Sequence, residues 1–288
     1  MSNAAESFRI ERVAGGLGAE VSGIDLARPL DDHEFSSLHR ALVDHLVLFF
    51  RDQHLTPEQQ VAFTRRFGPI LRVPYVAHLD AHPDIIAVLK EANERAISTF
   101  GNAWHSDFSF LEEPPMGSVL YARAVPAFGG DTLWSNMYLA YEALSEGMRH
   151  MLDGLRAMHS GRPYGTGGPA GDIRTSRSIA ITRGDPEADR EIAHPVVRRH
   201  PDSGRKALFV NAIYTTRFEG MTEAESRPLL DFLFAHCTRP EFTCRFRWSE
   251  GALAIWDNRC TLHYAVNDYD GERRLLHRTA IAGERPLS

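Results

Sequence analysis

The chain has 288 residues, of which 43% are hydrophobic and 24% are charged, and its formal net charge is -6 at pH 7. This balance is that of an ordinary globular protein with enough length to bury a core. A mildly acidic chain has no overall attraction for nucleic acid or an anionic membrane, so we expect neither as a partner. Local arginines must then hold any anionic substrate.

No apolar stretch approaches the roughly 20 residues that span a bilayer, and residues 1–10 lack the basic start and apolar run of a signal peptide. Cys237, Cys244 and Cys260 are too few and too scattered for a disulfide framework or a thiolate zinc site. These features predict a reduced, cytoplasmic protein.

The first half of the chain carries helix signals. Asp31 precedes a stretch whose apolar residues recur at helical spacing, and an apolar run over 45–50 predicts a buried strand after it. Thr56, followed by Pro57, marks the start of a second helix. A third helix is predicted over 138–148.

The second half is richer in strands. Thr222 and Glu225 form a capping box for one more helix that ends near residue 236. Strands are predicted over 242–248, 252–256 and 273–283. Helices followed by many strands predict a mainly β fold with flanking helices.

The chain shows no repeat or long linker, so we expect a single domain over 1–288. Glycines and prolines crowd the stretch 160–189. A loop of that length inside a compact domain is either disordered or functional, and we expect a lid.

Residues 104–107 contain a His-x-Asp triplet, formed by His105 and Asp107. Residues i and i+2 of a strand point to the same side, so a strand here would aim both side chains at one ion. A surface pair is the alternative, because such a triplet is common in chains of this size. A second histidine would complete two histidines and one carboxylate, the set that leaves three positions open on six-coordinate iron.

The chain has 14 histidines, and His263 is distinguished by its setting. It follows a predicted buried strand and the polar turn that begins at Trp256. Taken alone, His263 is more simply a core histidine with a satisfied hydrogen bond. That simpler interpretation is kept for His159, His194, His200 and His236.

Arg274 and Arg278 lie on the predicted C-terminal strand, where four residues span roughly 13 Å and period two puts both on one face. The planar fork of arginine matches a carboxylate with two parallel hydrogen bonds. Each arginine is therefore a candidate to hold a different carboxylate, one on a cosubstrate and one on a substrate. A solvent-facing surface is the alternative, and it is what we expect for Arg273.

Five segments together resemble the taurine dioxygenase family of Fe(II)/2-oxoglutarate enzymes, over nearly the whole chain. They are Val21-Ser-Gly-Ile-Asp-Leu26, Trp104-His-Ser-Asp107, Gly129-Gly-Asp-Thr-Leu-Trp134, Trp256-Asp-Asn-Arg-Cys-Thr-Leu-His263 and Arg273-Arg-Leu-Leu-His-Arg-Thr279. As a set they are far more specific than any one of them. The resemblance implies a double-stranded β-helix (jelly-roll) core.

The resemblance also implies Fe(II) as the cofactor, with 2-oxoglutarate and dioxygen as cosubstrates. It implies that the iron ligands are His105, Asp107 and His263. Thr132 and Arg274 match the family positions that hold the distal carboxylate of 2-oxoglutarate. Arg278 matches the position that holds the anionic group of a small organic substrate. Relatives in this family are often dimers or tetramers, so a homo-oligomer is expected.

The substrate pocket departs from the pattern of the taurine enzymes. Val73 falls where those enzymes carry a histidine that grips the sulfonate, and Gly101 falls where they carry an asparagine, although Asn102 is adjacent. Both departures resemble the aryloxyalkanoate (phenoxypropionate) dioxygenase branch. That branch implies Val73, Gly101 and Tyr214 as pocket residues, with a simple core aromatic as the alternative for Tyr214.

The expected reaction is hydroxylation of a small organic anion at the carbon beside a heteroatom. The leading expectation is an aryloxyalkanoate that is cleaved to a phenol and a 2-oxoacid. The alternative within the family is a dioxygenase for taurine or an alkyl sulfonate or sulfate, which releases sulfite or sulfate and an aldehyde. Outside the family, one alternative is a non-catalytic jelly-roll protein that binds a metal or a small anion structurally, against which a second carboxylate clamp argues. Another alternative is a zinc hydrolase, which predicts activity without oxygen.

Overall fold

The computed structural model describes residues 8–166 and 178–288. Its α-helices are α1 (Asp32–His45), α2 (Pro57–Arg65), α3 (Met137–Glu142), α4 (Glu146–Asp153) and α5 (Glu223–Cys237). Its strands are β1 (Arg9–Arg12), β2 (Ala19–Ser22), β3 (Val47–Phe50), β4 (Ile86–Lys90), β5 (Gly117–Ala124), β6 (Thr132–Asn136), β7 (Arg156–Ser160), β8 (Glu191–Pro195), β9 (Val197–Arg199), β10 (Lys206–Leu208), β11 (Thr215–Phe218), β12 (Thr243–Phe246), β13 (Leu253–Asp257), β14 (Thr261–Ala265) and β15 (Arg274–Ile281). Short 3-10 helices span Arg162–Tyr164, Pro186–Asp189 and Pro240–Phe242.

Two sheets form the core. The larger sheet has seven strands in the order β1-β2-β3-β13-β5-β15-β4, and a three-stranded sheet has the order β12-β6-β14. Trp134 of the smaller sheet makes edge-on contacts with Phe49 and Trp256 of the larger one, so apolar side chains fill the space between the sheets. This mainly β arrangement with few helices confirms the expected double-stranded β-helix core.

The local signals for helix starts are confirmed. Asp31, Thr56 and Thr222 each cap a helix, and each accepts a hydrogen bond from the backbone N–H three residues later. In every case the side chain at that third position returns a hydrogen bond to the cap, which completes a capping box. The predicted strands are also present, as β3, β12, β13 and β15.

The single helix predicted over 138–148 is wrong. The structure has two short helices there, α3 and α4. Ser145 begins the second one, because its hydroxyl accepts from the backbone N–H of Met148. A cap inside an apolar stretch thus begins a second helix.

The stretch 160–189 is described only in part, and residues 167–177 lie outside the described residues. On one side of that gap, Tyr164 is buried against the core. On the other side, Ile181 forms an isolated bridge with Val76. Among the helices that the structure describes, none is long and apolar enough to cross a membrane.

Candidate metal centre

A single β-bridge brings His105 to His263. The backbone N–H of His105 donates to the carbonyl of His263 at 3.1 Å, and the reverse bond is 2.8 Å long. His263 lies in the middle of β14 rather than in the turn before it. The strand predicted through the His-x-Asp triplet is wrong, because only His105 is bridged and Asp107 begins a turn. At the next residue, Phe108, φ is 45°, which turns the chain away.

The three predicted ligands are nevertheless brought together. The Nε2 atoms of His105 and His263 each lie 3.6 Å from Oδ1 of Asp107, and the three side chains are buried. All three ligand atoms lie within 4.8 Å of one another. This proximity is what binding to a common ion requires, and the set matches the two histidines and one carboxylate of non-haem iron sites.

The protonation states suit metal binding. Nδ1 of His105 lies 2.7 Å from the carbonyl oxygen of Ala103, so it donates there and leaves Nε2 with a free lone pair. Burial, together with His105, holds the pKa of His263 well below its usual range and keeps that imidazole neutral. Burial opposes ionisation of Asp107, but the neighbouring Arg278 guanidinium outweighs it and holds the pKa of that carboxyl well below normal.

The arginines of β15 are buried, as their shared face predicts. Arg274 is 2% exposed and Arg278 is 4% exposed, whereas the side chain of Arg273 reaches solvent and pairs with Glu91. Arg278 lies beside the ligand set, with Nη2 at 2.7 Å from Oδ2 of Asp107. The alternative of a solvent-facing surface for both arginines is therefore excluded.

Arg274 is a buried cation with unused donors. Its Nε and Nη2 atoms have no hydrogen-bond partner within residues 8–166 and 178–288. Gly130 makes room for it, because a Cβ there would lie 2.9 Å from Cδ of Arg274. Gly130 also has φ of 68°, which side chains rarely adopt. A buried guanidinium with two unused donors is costly, and a ligand carboxylate is the group that would satisfy them.

Thr132 begins β6, two residues after Gly130. Its hydroxyl accepts from Nε1 of Trp248 at 3.0 Å, which leaves its own proton for a ligand. In the β6–β14 ladder, Thr132 pairs with Ala265 and Trp134 pairs with His263, so Thr132 lies on the face that carries His263.

A cavity of about 310 Å³ opens beside His105. Gly101 and Tyr214, two of the predicted pocket residues, line it together with Tyr164, Ile181 and Arg183. Val73 does not line this cavity and is buried in the apolar core. The walls are mainly aromatic and aliphatic, with the hydroxyls of Tyr164 and Tyr214 3.2 Å apart.

The remaining histidines of interest have structural partners. Nε2 of His194 lies 2.9 Å from the carbonyl of Leu111, and Nε2 of His236 lies 2.7 Å from that of Ala140. Nε2 of His200 lies 2.9 Å from Oδ2 of Asp257 inside a second buried cluster. The simpler interpretation made for these residues from the sequence agrees with these contacts.

Three residues near the site were not singled out in the sequence. Ser118 and Asn258 donate to Oδ2 of Asp107, and Tyr164 lines the cavity. Asn258 lies inside the segment that ends at His263, so that motif was a usable signal. Ser118 is one serine on a buried strand, and nothing local marks it.

Comparison with protein families matches residues 9–280 to the family described as taurine catabolism dioxygenase TauD, TfdA family. The chain belongs to this family. An alpha-ketoglutarate-dependent sulfate ester dioxygenase of Pseudomonas putida is 38% identical, over 96% of this chain and 90% of the relative. An alkylsulfatase of Acinetobacter baylyi is 36% identical, over 99% of this chain and 88% of the relative.

A solved structure gives the same picture. A taurine dioxygenase from Burkholderia xenovorans superposes with a TM-score of 0.81 at 36% identity, over 98% of this chain and 93% of that chain. The enzyme class and the requirement for iron and 2-oxoglutarate (alpha-ketoglutarate) are thereby confirmed. The substrate of this dioxygenase is a small molecule.

The donor set fits these groups. Two neutral imidazole nitrogens and one carboxylate oxygen are suitable ligands for Fe(II), and the three residues leave positions free for a chelating cosubstrate. The orphaned donors of Arg274 fit the far carboxylate of 2-oxoglutarate.

Proposed function

We propose that this dioxygenase hydroxylates an alkyl sulfate ester at the carbon that bears the sulfate oxygen, and that His105, Asp107 and His263 hold its iron. The observation that carries the ligand assignment is the meeting of three buried donor atoms within 4.8 Å. The substrate class is supported by relatives named as acting on sulfate esters, which match nearly the whole chain. This choice replaces the aryloxyalkanoate that the sequence favoured.

Each arginine has a separate role in this proposal. Arg274, with Thr132 close by, receives the distal carboxylate of 2-oxoglutarate, because its unused donors are fully buried. Arg278 receives the sulfate group of the substrate. The rest of the substrate lies in the cavity lined by Gly101, Tyr164 and Tyr214, whose apolar surface suits an alkyl chain.

Bound iron supplies the oxidising chemistry, by which one oxygen atom of dioxygen enters a C–H bond while 2-oxoglutarate loses carbon dioxide and becomes succinate. The protein's part is to orient that C–H bond and to exclude water from the site. The hydroxylated carbon then carries both a hydroxyl and the sulfate oxygen. Its C–O bond to sulfate breaks, so the products are an aldehyde and sulfate.

The test is succinate formation with Fe(II), 2-oxoglutarate and oxygen. The substrates are a primary alkyl sulfate, taurine and both enantiomers of a phenoxypropionate. We expect coupled succinate, with an equal amount of aldehyde and sulfate, from the alkyl sulfate. Coupled turnover of taurine alone would contradict the proposal.

A second candidate keeps the same chemistry with an aryloxyalkanoate, which would collapse to a phenol and a 2-oxoacid. The observation that favours it is the presence of aromatic side chains, such as Phe100, Tyr164 and Tyr214, in the cavity wall. Turnover of one phenoxypropionate enantiomer, with none of the alkyl sulfate, would select this candidate.

We further propose that the chain is one domain and that the described parts of the stretch 160–189, which are residues 160–166 and 178–189, act as a lid over the cavity. Tyr164 and Ile181, on the two described sides of that stretch, both line the cavity wall. Protection of the stretch from limited proteolysis by Mn(II), 2-oxoglutarate and substrate tests this closure. A dimer or tetramer and a cytoplasmic location remain predictions, and light scattering tests the first of these.

A further inference from the structure

The carboxylate of Asp107 is held unequally at its two oxygens. Oδ1 faces the Nε2 atoms of the two histidines. Oδ2 points the other way, toward Arg278 at 2.7 Å, the hydroxyl of Ser118 at 2.9 Å and the amide of Asn258 at 3.4 Å. One oxygen is thus free for a metal, while the other is occupied by protein donors.

Ser118 is the rigid member of this group. It is fully buried on β5, which lies between β13 and β15 within the seven-stranded sheet. Its backbone pairs with Trp256 on one side and Ala280 on the other. A short side chain on a central strand has little freedom, so its hydroxyl defines where Oδ2 lies.

The other two donors to Oδ2, Arg278 and Asn258, are less suited to fix the position of this oxygen. Arg278 contacts the hydroxyl of Ser118 at 3.2 Å as well as Asp107, and in the proposed function it also serves the anionic group of the substrate. The amide of Asn258 makes the longest of the three contacts. When the guanidinium of Arg278 turns to a substrate anion, Ser118 still anchors Oδ2.

The position of Oδ2 decides how many coordination positions on a bound metal Asp107 can occupy. Two imidazoles and one carboxylate oxygen fill three of six positions, and a 2-oxoacid that chelates through two oxygens leaves one for dioxygen. If Asp107 supplied both of its oxygens, it would take a fourth position. The chelate and dioxygen would then compete for the two that remain.

We propose that Ser118 is a positioning residue that holds Oδ2 of Asp107 in the protein, so that only Oδ1 is presented to the metal. The proposal rests on the assignment of His105, Asp107 and His263 as ligands. Partners that orient ligating carboxylates commonly change metal affinity by about tenfold or more when they are removed.

The experiment titrates metal-free protein with Mn(II) alone, and then titrates the Mn(II)-saturated protein with 2-oxoglutarate, by calorimetry without oxygen. For Ser118→Ala we expect the Kd for Mn(II) to rise about tenfold, because Asp107 loses its fixed orientation. The Kd for 2-oxoglutarate should rise as well, since the freed Oδ2 competes for its place. Ser118→Thr keeps a hydroxyl on the same carbon and should restore both constants.

The matched control is Ser226→Ala on α5. Ser226 is also fully buried and also makes two hydrogen bonds, to Thr222 and from Phe218, so its loss reproduces the structural cost alone. We expect no change in either Kd for this variant. If Ser118→Ala does not fold, Ser118→Cys keeps the volume with a weak donor and should show the same two increases.

An unchanged Kd for Mn(II) or for 2-oxoglutarate in the folded Ser118 variant would overturn the proposal, as would an equal change in Ser226→Ala. His263→Ala separates this outcome from failure of the ligand assignment. If wild type binds Mn(II) and His263→Ala does not, the ligand assignment stands whatever Ser118→Ala shows. If His263→Ala binds as tightly as wild type, the ligand assignment is wrong and the role of Ser118 falls with it.

Discussion

Within residues 8–166 and 178–288, two buried clusters contain metal-ligand residue types, and they differ in what their atoms already bind. His105, Asp107 and His263 form one, and His200, Asp257 and Cys260 form the other. Both bring three ligand atoms within 4.8 Å of one another. Distance and burial alone therefore do not distinguish a metal centre from a structural network.

In the second cluster the protein uses every strong donor and acceptor. Nε2 of His200 lies 2.9 Å from Asp257, while its Nδ1 accepts from two backbone N–H groups. Arg259 contacts both oxygens of Asp257. Burial, with Asp257 nearby, raises the pKa of Cys260 well above normal, so that thiol is a poor ligand.

In the first cluster, the facing ligand atoms of His105, Asp107 and His263 have no other protein partner among the described residues. Each of the two Nε2 atoms lies 3.6 Å from Oδ1 of Asp107, which is too far for a hydrogen bond. The comparison shows that unused lone pairs, rather than residue types, identify the candidate metal centre. The same contrast applies to two buried arginines, because Arg259 is fully paired and Arg274 has unused donors.

The largest expected effect comes from replacing one histidine in each cluster, because only one of these changes should abolish activity. His263→Ala should abolish iron-dependent succinate formation. His200→Ala should retain it and lose about 1–3 kcal/mol of unfolding free energy, because Asp257 loses a buried partner. Succinate assays and urea unfolding of both variants check this. Retained turnover in His263→Ala would remove the distinction between the clusters.

Substitutions of Arg259 and Arg274 test which of these two buried arginines stabilises the fold and which one binds the cosubstrate. Arg259→Met should cost about 3–5 kcal/mol of unfolding free energy, because it leaves the buried charge of Asp257 poorly compensated. Arg274→Met should leave the stability of the ligand-free protein unchanged or raise it. Its KM for 2-oxoglutarate should rise at least about thirtyfold, since a buried charged contact is lost.

Denaturant unfolding and steady-state kinetics measure the two arginine variants. A large loss of stability in Arg274→Met would mean that the guanidinium has protein partners after all. An unchanged KM for 2-oxoglutarate would remove Arg274 from the cosubstrate site.

A substitution of Arg278 tests whether this residue of the candidate metal centre acts on the substrate or through Asp107. Arg278→Lys keeps a cation near Asp107 but loses the planar fork. We expect the KM for the alkyl sulfate to rise about tenfold, with little change in the KM for 2-oxoglutarate. Equal increases in both would show that the substitution acts through Asp107 rather than on the substrate anion.

The last expected effect is confined to acidic pH and concerns a histidine outside both clusters. Burial lowers the pKa of His194 from 6.5 to about 4, so the unfolded chain binds a proton at this residue before the folded one does. Stability from this group is therefore complete above pH 6.5 and lost as the pH falls toward 4, by about 1.4 kcal/mol per unit. His194→Gln should show a shallower pH dependence of unfolding between these values.

Much of the fold was predictable because its signals are local. The capping boxes at Asp31 and Thr222 depend on residues three apart, and the alternation along β15 placed Arg274 and Arg278 on one buried face. The prediction of one helix over 138–148 failed because the apolar pattern continues across Ser145, whose side chain caps α4 in the structure.

For the candidate site, the identities of the residues could be predicted from the sequence, but their arrangement in space could not. His105 and Asp107 were expected on a strand, yet their arrangement comes from one bridge to His263 and from the turn at Phe108. No sequence pattern marks Ser118, because its role depends on which strand lies beside Asp107 in the folded protein. Tertiary contacts of that kind leave no mark in a local pattern.

Equilibrium dialysis of the wild-type protein against Mn(II) tests the distinction between the two clusters most directly. We expect one ion per chain, bound by the cluster whose lone pairs are unused. Two ions per chain would show that the cluster around Asp257 is also a metal site, and no bound ion would show that the cluster around Asp107 is not one.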